Sequence, residues 1–131
     1  MKSIELKRKV RWVDADAAGR IYYARIFDYA GEAEWELLHS VGISRKELGN
    51  TYDFPRVHVE CSFKKMLELG ACFTIRLWPG KLNRSSIRYD FVVFIDEEFH
   101  EIAAEGSVTV VVLCDGKPAE IPPEIRSAFA D

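Results

Sequence analysis

The chain reads as an α+β domain in which one long helix covers a face of a single, predominantly antiparallel sheet. Three observations point there: a period-two apolar pattern opens the chain, one stretch of three-and-four periodicity follows, and four runs rich in β-branched and aromatic residues fill most of the remainder.

In the first run Ile4, Leu6, Val10 and Trp12 share one parity, while Glu5, Lys7, Lys9 and Arg11 take the other. That is a half-buried strand, broken on its apolar side only by Arg8. From about Tyr23 to Val41 the period changes, with Phe27, Ala30, Leu37, Leu38 and Val41 on one helical stripe and Gly42 placed to stop it. A polar connector containing GNTYD leads to the four strands. In the first of them Val57, Val59, Cys61 and Phe63 alternate. GACFTIRLWPG is bounded by glycines, and SSIRYDFVVFID and EIAAEGSVTVVVLCDG are the longest. Between these two, DEEFH reads as a hairpin turn, and PAEIPPEIRSAFAD as a proline-punctuated tail with one short helix. VTVVVLC is apolar on both parities, so it is expected deeper than a half-exposed strand, as dimerisation through the sheet edge would explain.

A length of 131 residues suits one domain, residues 1–131, and 48% hydrophobic residues suffice for its core. The net charge of −3, with both signs dispersed, argues against nucleic acid as a partner; the basic run Lys7, Arg8, Lys9, Arg11 fits a solvated strand edge. Cys61, Cys72 and Cys114 are odd in number and far apart, which suggests neither a disulfide framework nor a zinc cage and fits a reducing cytoplasm. His39, His58 and His100 show no ligand spacing, so no metal is expected. The polar N-terminus is unlike a signal peptide, and no apolar run approaches the roughly 18 residues of a membrane span. No internal repeat is visible.

The residues with chemical potential are concentrated in VDADAAGRIYYARIF. Asp14 and Asp16 precede Gly19, and a helix starts a few residues later. Its unpaired N–H groups and positive dipole end can hold an oxyanion. Spacing alone leaves two uses open. The aspartates close Asx-turns or cap the helix, or Asp16 attacks a thioester carbonyl, or deprotonates a water, beside amides near Tyr23 and Ala24.

The longer stretch VDADAAGRIYYARIFDYAGEAEWELL resembles the Asp-x-Asp-x-x-Gly and aromatic-rich helix start of the hotdog-fold acyl-CoA thioesterases, particularly the 4-hydroxybenzoyl-CoA thioesterase family. The resemblance implies a five-stranded, predominantly antiparallel sheet wrapped around one long central helix, and hydrolysis of an acyl- or aroyl-CoA. It puts the catalytic carboxylate, nucleophile or general base, at Asp16, a supporting acid at Asp14, the motif glycine at Gly19, and the carbonyl-polarising amide at Tyr23. FPRVHVECSF resembles the strand that helps line the acyl pocket, and NRSSIRY the segment near the CoA entrance. That makes Arg84 and Ser85 substrate contacts, with Lys81 and Arg88 as weaker phosphate candidates. No cofactor is implied beyond the CoA of the substrate, and self-association as a dimer or tetramer is.

The chain departs from the family at Gly31 and Glu34, where an acid followed by arginine is usual, and KKMLELGA retains only Gly70 of a Pro-Ala and Gly-Asp signature. Glu34 interrupts the apolar stripe and is expected to be hydrogen-bonded at a subunit contact, although some hotdog thioesterases use a helix glutamate in catalysis. Two other readings stay open. One is a hydratase or dehydratase of the same fold, disfavoured by the lack of histidine in DADAAGRIYY; the other is a non-catalytic module that binds acyl-thioesters or aromatic ligands.

Overall fold

The structure is a computed structural model that describes residues 2–95 and 101–130. In chain order the elements are β1 (Ile4–Lys9), a 3-10 turn (Trp12–Asp14), α1 (Arg25–Ser40), α2 (Arg45–Leu48), β2 (Arg56–Phe63), β3 (Cys72–Leu82), β4 (Ser86–Phe94), β5 (Ile102–Val111), β6 (Leu113–Cys114), β7 (Lys117–Pro118) and α3 (Pro123–Phe129). The sheet has five strands in the order β1-β3-β4-β5-β2, and every neighbouring pair is antiparallel. Its edges are therefore β1 and β2, while the hairpins β3-β4 and β4-β5 fill the centre. The expected DEEFH turn lies outside the described residues.

Strand alternation builds the core. Ile87, Tyr89, Phe91 and Val93 of β4 are buried, and α1 packs on that side: the rings of Phe27 and Phe91 meet edge to face at 6.3 Å, as do those of Tyr29 and Phe73 at 4.9 Å. The opposite face is polar. Arg88 forks onto Asp90 at 2.9 and 3.2 Å, and Arg76 meets Glu5 at 2.8 Å.

Helix α1 buries Ile26, Tyr29, Ala30, Ala33, Glu34, Leu37 and Leu38. It ends in a Schellman turn, where the N–H of Gly42 reaches His39 O at 3.0 Å and that of Ile43 reaches Leu38 O at 2.9 Å, with Gly42 at φ +80°. The predicted stop is thus correct. One long central helix is not what forms, because the helical residues are divided among α1, sixteen residues or about 24 Å long, and the short helices α2 and α3. Helix α2 sits in what the sequence suggested was only a connector; the Ser44 side chain caps it by accepting the Glu47 N–H at 3.2 Å.

Three further expectations change. VTVVVLC runs through β5, which lies between β4 and β2 rather than at the edge; Val108, Val110 and Val112 are buried in the core, while Thr109 and Val111 of the other parity are half-buried. The edge strand is β2, whose apolar parity stays largely uncovered, with Val57 57% and Phe63 46% exposed. Trp12 is not on the buried parity of β1; the strand has ended, and the 3-10 turn leaves it exposed.

Candidate active site

The loop between the 3-10 turn and α1 is fixed by backbone pairing. The Asp16 N–H donates to Arg20 O at 2.7 Å and the Gly19 N–H to Asp16 O at 3.0 Å, closing a tight turn that needs φ +80° at Gly19. This turn is stapled to the segment before β3, because the Ile21 N–H reaches Leu67 O at 2.7 Å and the Leu69 N–H reaches Gly19 O at 2.9 Å. Asp16 stands exposed at its tip. Its Oδ1 accepts the N–H groups of Ala18 at 2.9 Å and Arg20 at 3.2 Å, while Oδ2 has no hydrogen-bond donor among the described residues. The Asx-turn and the reactive carboxylate, posed as alternatives by the sequence, are compatible: one oxygen orients the group and the other is free.

Asp14 has a different environment. It is buried, at 2% exposure, and its carboxylate accepts from Arg11 Nε at 3.1 Å, Arg11 N at 3.2 Å, Arg11 Nη2 at 3.3 Å and the Tyr29 hydroxyl. Burial alone would raise its pKa, but the hydrogen bonds from Arg11 and Tyr29 outweigh it and hold the carboxyl below its ordinary value. For Tyr29, burial and the Asp14 carboxylate push the phenol up to about 12. Asp14 therefore anchors the loop from below: the carbonyl of the same residue accepts the Tyr22 N–H at 2.7 Å, at the entry to α1.

That last bond uses the Tyr22 amide. Among the described residues, the N–H groups of Tyr23 and Ala24 have no acceptor, and α1 begins at Arg25. Tyr23 and Asp16 line one cavity of about 240 Å³, with Phe63, Met66 and Leu67 as apolar walls and Arg20, Lys64 and Lys65 at its rim. Lys64 pairs with Glu105 at 3.3 Å; Arg20 and Lys65 have no ion-pair partner among the described residues. Asp16, with one carboxylate oxygen free, and Tyr23, with its amide free, thus line the same small, mostly apolar space. That pairing is able to attack a carbonyl and hold the resulting oxyanion. Phe63 is the last residue of FPRVHVECSF, the stretch whose resemblance pointed to the acyl pocket, whereas Lys65, Met66 and Leu67 escaped sequence reasoning, since they reach Asp16 only through the tertiary pairing of residues 67–69 with the loop.

The other candidates lie elsewhere. Arg84 and Ser85 sit in the β3-β4 turn region, where Arg84 meets Glu120 at 3.4 Å and Ser85 O accepts the Val112 N–H. The cavity beside Arg84 shares no residue with that of Asp16. Arg88 is taken up by Asp90, and Lys81 lies in β3 beside it. A larger cavity of about 630 Å³ opens on the outer sheet face among Glu60, Asp90 and Glu105, away from the Asp16 cavity. Glu34 is buried and hydrogen-bonded within its own chain: Arg56 reaches its two oxygens at 3.1 and 2.5 Å, and Arg45 adds a third bond at 3.2 Å. Both of its oxygens are thus occupied by arginine side chains. Burial, with Glu105 adding to it, pushes the Cys61 thiol up to about 11, so it is no nucleophile at neutral pH. Among the described residues no cluster of His, Cys, Asp and Glu is arranged to hold a metal, and no helix is long and apolar enough to cross a membrane.

The sequence profile of the thioesterase-like superfamily matches residues 10–129. The chain belongs to this superfamily. The thioesterase is also 28% identical over 121 residues to a 1,4-dihydroxy-2-naphthoyl-CoA hydrolase of Crocosphaera subtropica, covering 91% of this chain and 82% of that one. Its fold matches a 1,4-dihydroxy-2-naphthoyl-CoA thioesterase of Synechocystis with a TM-score of 0.90 at 20% identity, covering 98% and 96% of the two chains. It matches a gentisyl-coenzyme A thioesterase with a TM-score of 0.85 at 26% identity, covering 98% and 100%. The thioesterase thus has the hotdog-type fold, and its catalysed reaction is thioester hydrolysis.

Proposed function

We propose that the thioesterase hydrolyses an aroyl-CoA in the cavity shared by Asp16 and Tyr23. The observation that carries this reading is the pairing of the donor-free Asp16 oxygen with the acceptor-free Tyr23 amide. In the nucleophilic route, Asp16 Oδ2 adds to the thioester carbon, and the oxyanion settles on the Tyr23 N–H. Its collapse expels CoA thiolate and leaves an aspartyl anhydride, which water opens. In the general-base route Asp16 takes a proton from the attacking water, and the same amide holds the oxyanion. Single turnover in ¹⁸O-labelled water separates the routes, because water attack at the aspartyl carbon leaves label in the protein.

Aromatic acyl groups are favoured by the relatives, whose names specify dihydroxynaphthoyl and gentisyl thioesters, and the 4-hydroxybenzoyl-CoA family is the proposed affiliation within the superfamily. The chemistry needs no cofactor beyond the CoA of the substrate. Arg84 and Ser85 fit the role of CoA contacts in a self-associated form, a dimer or tetramer, where the turn of one copy serves the cavity of another. The uncovered apolar parity of edge strand β2 supports such pairing. A hydratase reading lacks a histidine at this cavity among the described residues.

A thiol-release panel of short, medium, long and aromatic acyl-CoAs tests the substrate assignment. The expected result is the highest kcat/KM on the aromatic thioesters; preference for short linear chains would overturn it.

A further inference from the structure

The glycine in the middle of α1 has no role in the packing of its own chain. Gly31 is helical, and a Cβ built on it meets no atom within 4 Å, so no backbone or side chain requires its absence. A glycine there costs the helix about 1 kcal/mol relative to alanine. What the missing side chain leaves is space: a cavity of about 250 Å³ between α1 and the inner face of β2, with Phe27, Gly31, Val59, Leu77, Tyr89 and Val108 among its walls. Its polar wall is closed by Arg56 clamped on Glu34.

This cavity shares no lining residue with that of Asp16 but borders the same two stretches of chain. Tyr23 and Phe63 wall one and Phe27 and Val59 wall the other, so each is bounded by the start of α1 and by the same parity of β2. Tyr23 lies in the turn just before α1, and Phe27 in the first turn of the helix. An acyl group that extends along α1 from a carbonyl at the Tyr23 amide would therefore meet the second cavity next. Side chains on a helix lean toward its N-terminus, so a side chain at position 31 would lie over the turn that contains Phe27, in the path of the entering group. The volume equals about eight waters at roughly 30 Å³ each, room for one or two fused rings.

We infer that Gly31 is the size gauge of the acyl pocket, kept free of a side chain so that a bulky planar acyl group extends from Asp16 between α1 and β2. The inference rests on the reading of Asp16 as the reactive carboxylate and adds a specificity determinant to it.

The test compares Gly31→Leu, Gly31→Ala and Val59→Phe with the unaltered enzyme on 1-naphthoyl-CoA and propionyl-CoA, following thiol release, thermal stability and sedimentation. The ratio of kcat/KM for naphthoyl to propionyl substrate is expected to fall by about tenfold or more in Gly31→Leu and Val59→Phe, and by less in Gly31→Ala, because a few methylenes in an apolar pocket are worth about 10- to 200-fold. Gly31→Leu should keep or raise the Tm, since leucine is the better helix former. An unchanged ratio in both large variants overturns the inference, as does a change in sedimentation without a change in the ratio, which would assign the cavity to a second copy of the chain. The two readings fail separately: an active Asp16→Asn enzyme refutes the catalytic assignment, whereas an unaltered acyl profile in Gly31→Leu refutes only the gauge.

Discussion

Asp14 and Asp16 are two residues apart and have opposite environments, and burial decides which does what. The buried Asp14 is more acidic in the folded chain than its ordinary value near 3.8. Its stabilising contribution is therefore complete above that value and is lost as pH falls through the lower, folded pKa. Asp14→Asn should cost about 1–3 kcal/mol at pH 7. Urea midpoints recorded from pH 7 down to pH 2 should show the difference between the two proteins shrinking below about pH 4. Glu34 presents the same physics with more at stake. Removing it leaves Arg45 and Arg56 facing each other without their anion. Glu34→Ala is expected to lower stability by about 3–5 kcal/mol, read from the same urea transition.

At the scale of elements, α1 is held by its ends as much as by its face. Gly42→Ala puts a Cβ on a residue at φ +80° and should destabilise the fold by about 1–2 kcal/mol, measurable as a lower Tm. The stop at Gly42 and the alternation of β1 were legible in the sequence because both are local rules: a left-handed cap wants glycine, and a half-buried strand alternates. Helix α2 was equally local but was passed over, although Ser44 followed by Glu47 is a capping pattern. So was the β6-β7 hairpin, announced by Asp115 and Gly116, both at positive φ. Strand order was not legible. Nothing in VTVVVLC distinguishes an interior strand from an edge strand, since either can turn its apolar parity to the core.

The candidate site divides in the same way. Asp16, Gly19 and Tyr23 lie within eight residues, and their motif placed them together before any fold was known; the structure sets Asp16 and Tyr23 on one cavity. Phe63 was reached through the resemblance of FPRVHVECSF, whereas Met66 and Leu67 come from distant sequence and were invisible to spacing. Arg84 and Ser85, taken from resemblance, lie apart from that cavity within the chain.

For the whole molecule, the uncovered edge governs behaviour. Strand β2 presents unpaired backbone and an apolar parity that includes Val57 and Phe63, which suits pairing with a second copy. The protein should sediment as a dimer or larger, and Val57→Glu should shift it toward the monomer; a monomeric unaltered protein would remove this part of the account. The chemistry at the Asp16 cavity is tested by thiol release from an aromatic acyl-CoA by Asp16→Asn beside the unaltered enzyme, with both Tm values recorded. A fall in kcat of about 10²- to 10⁴-fold at an unchanged Tm is expected if Asp16 is the reactive carboxylate. Turnover by Asp16→Asn equal to that of the unaltered enzyme would contradict it.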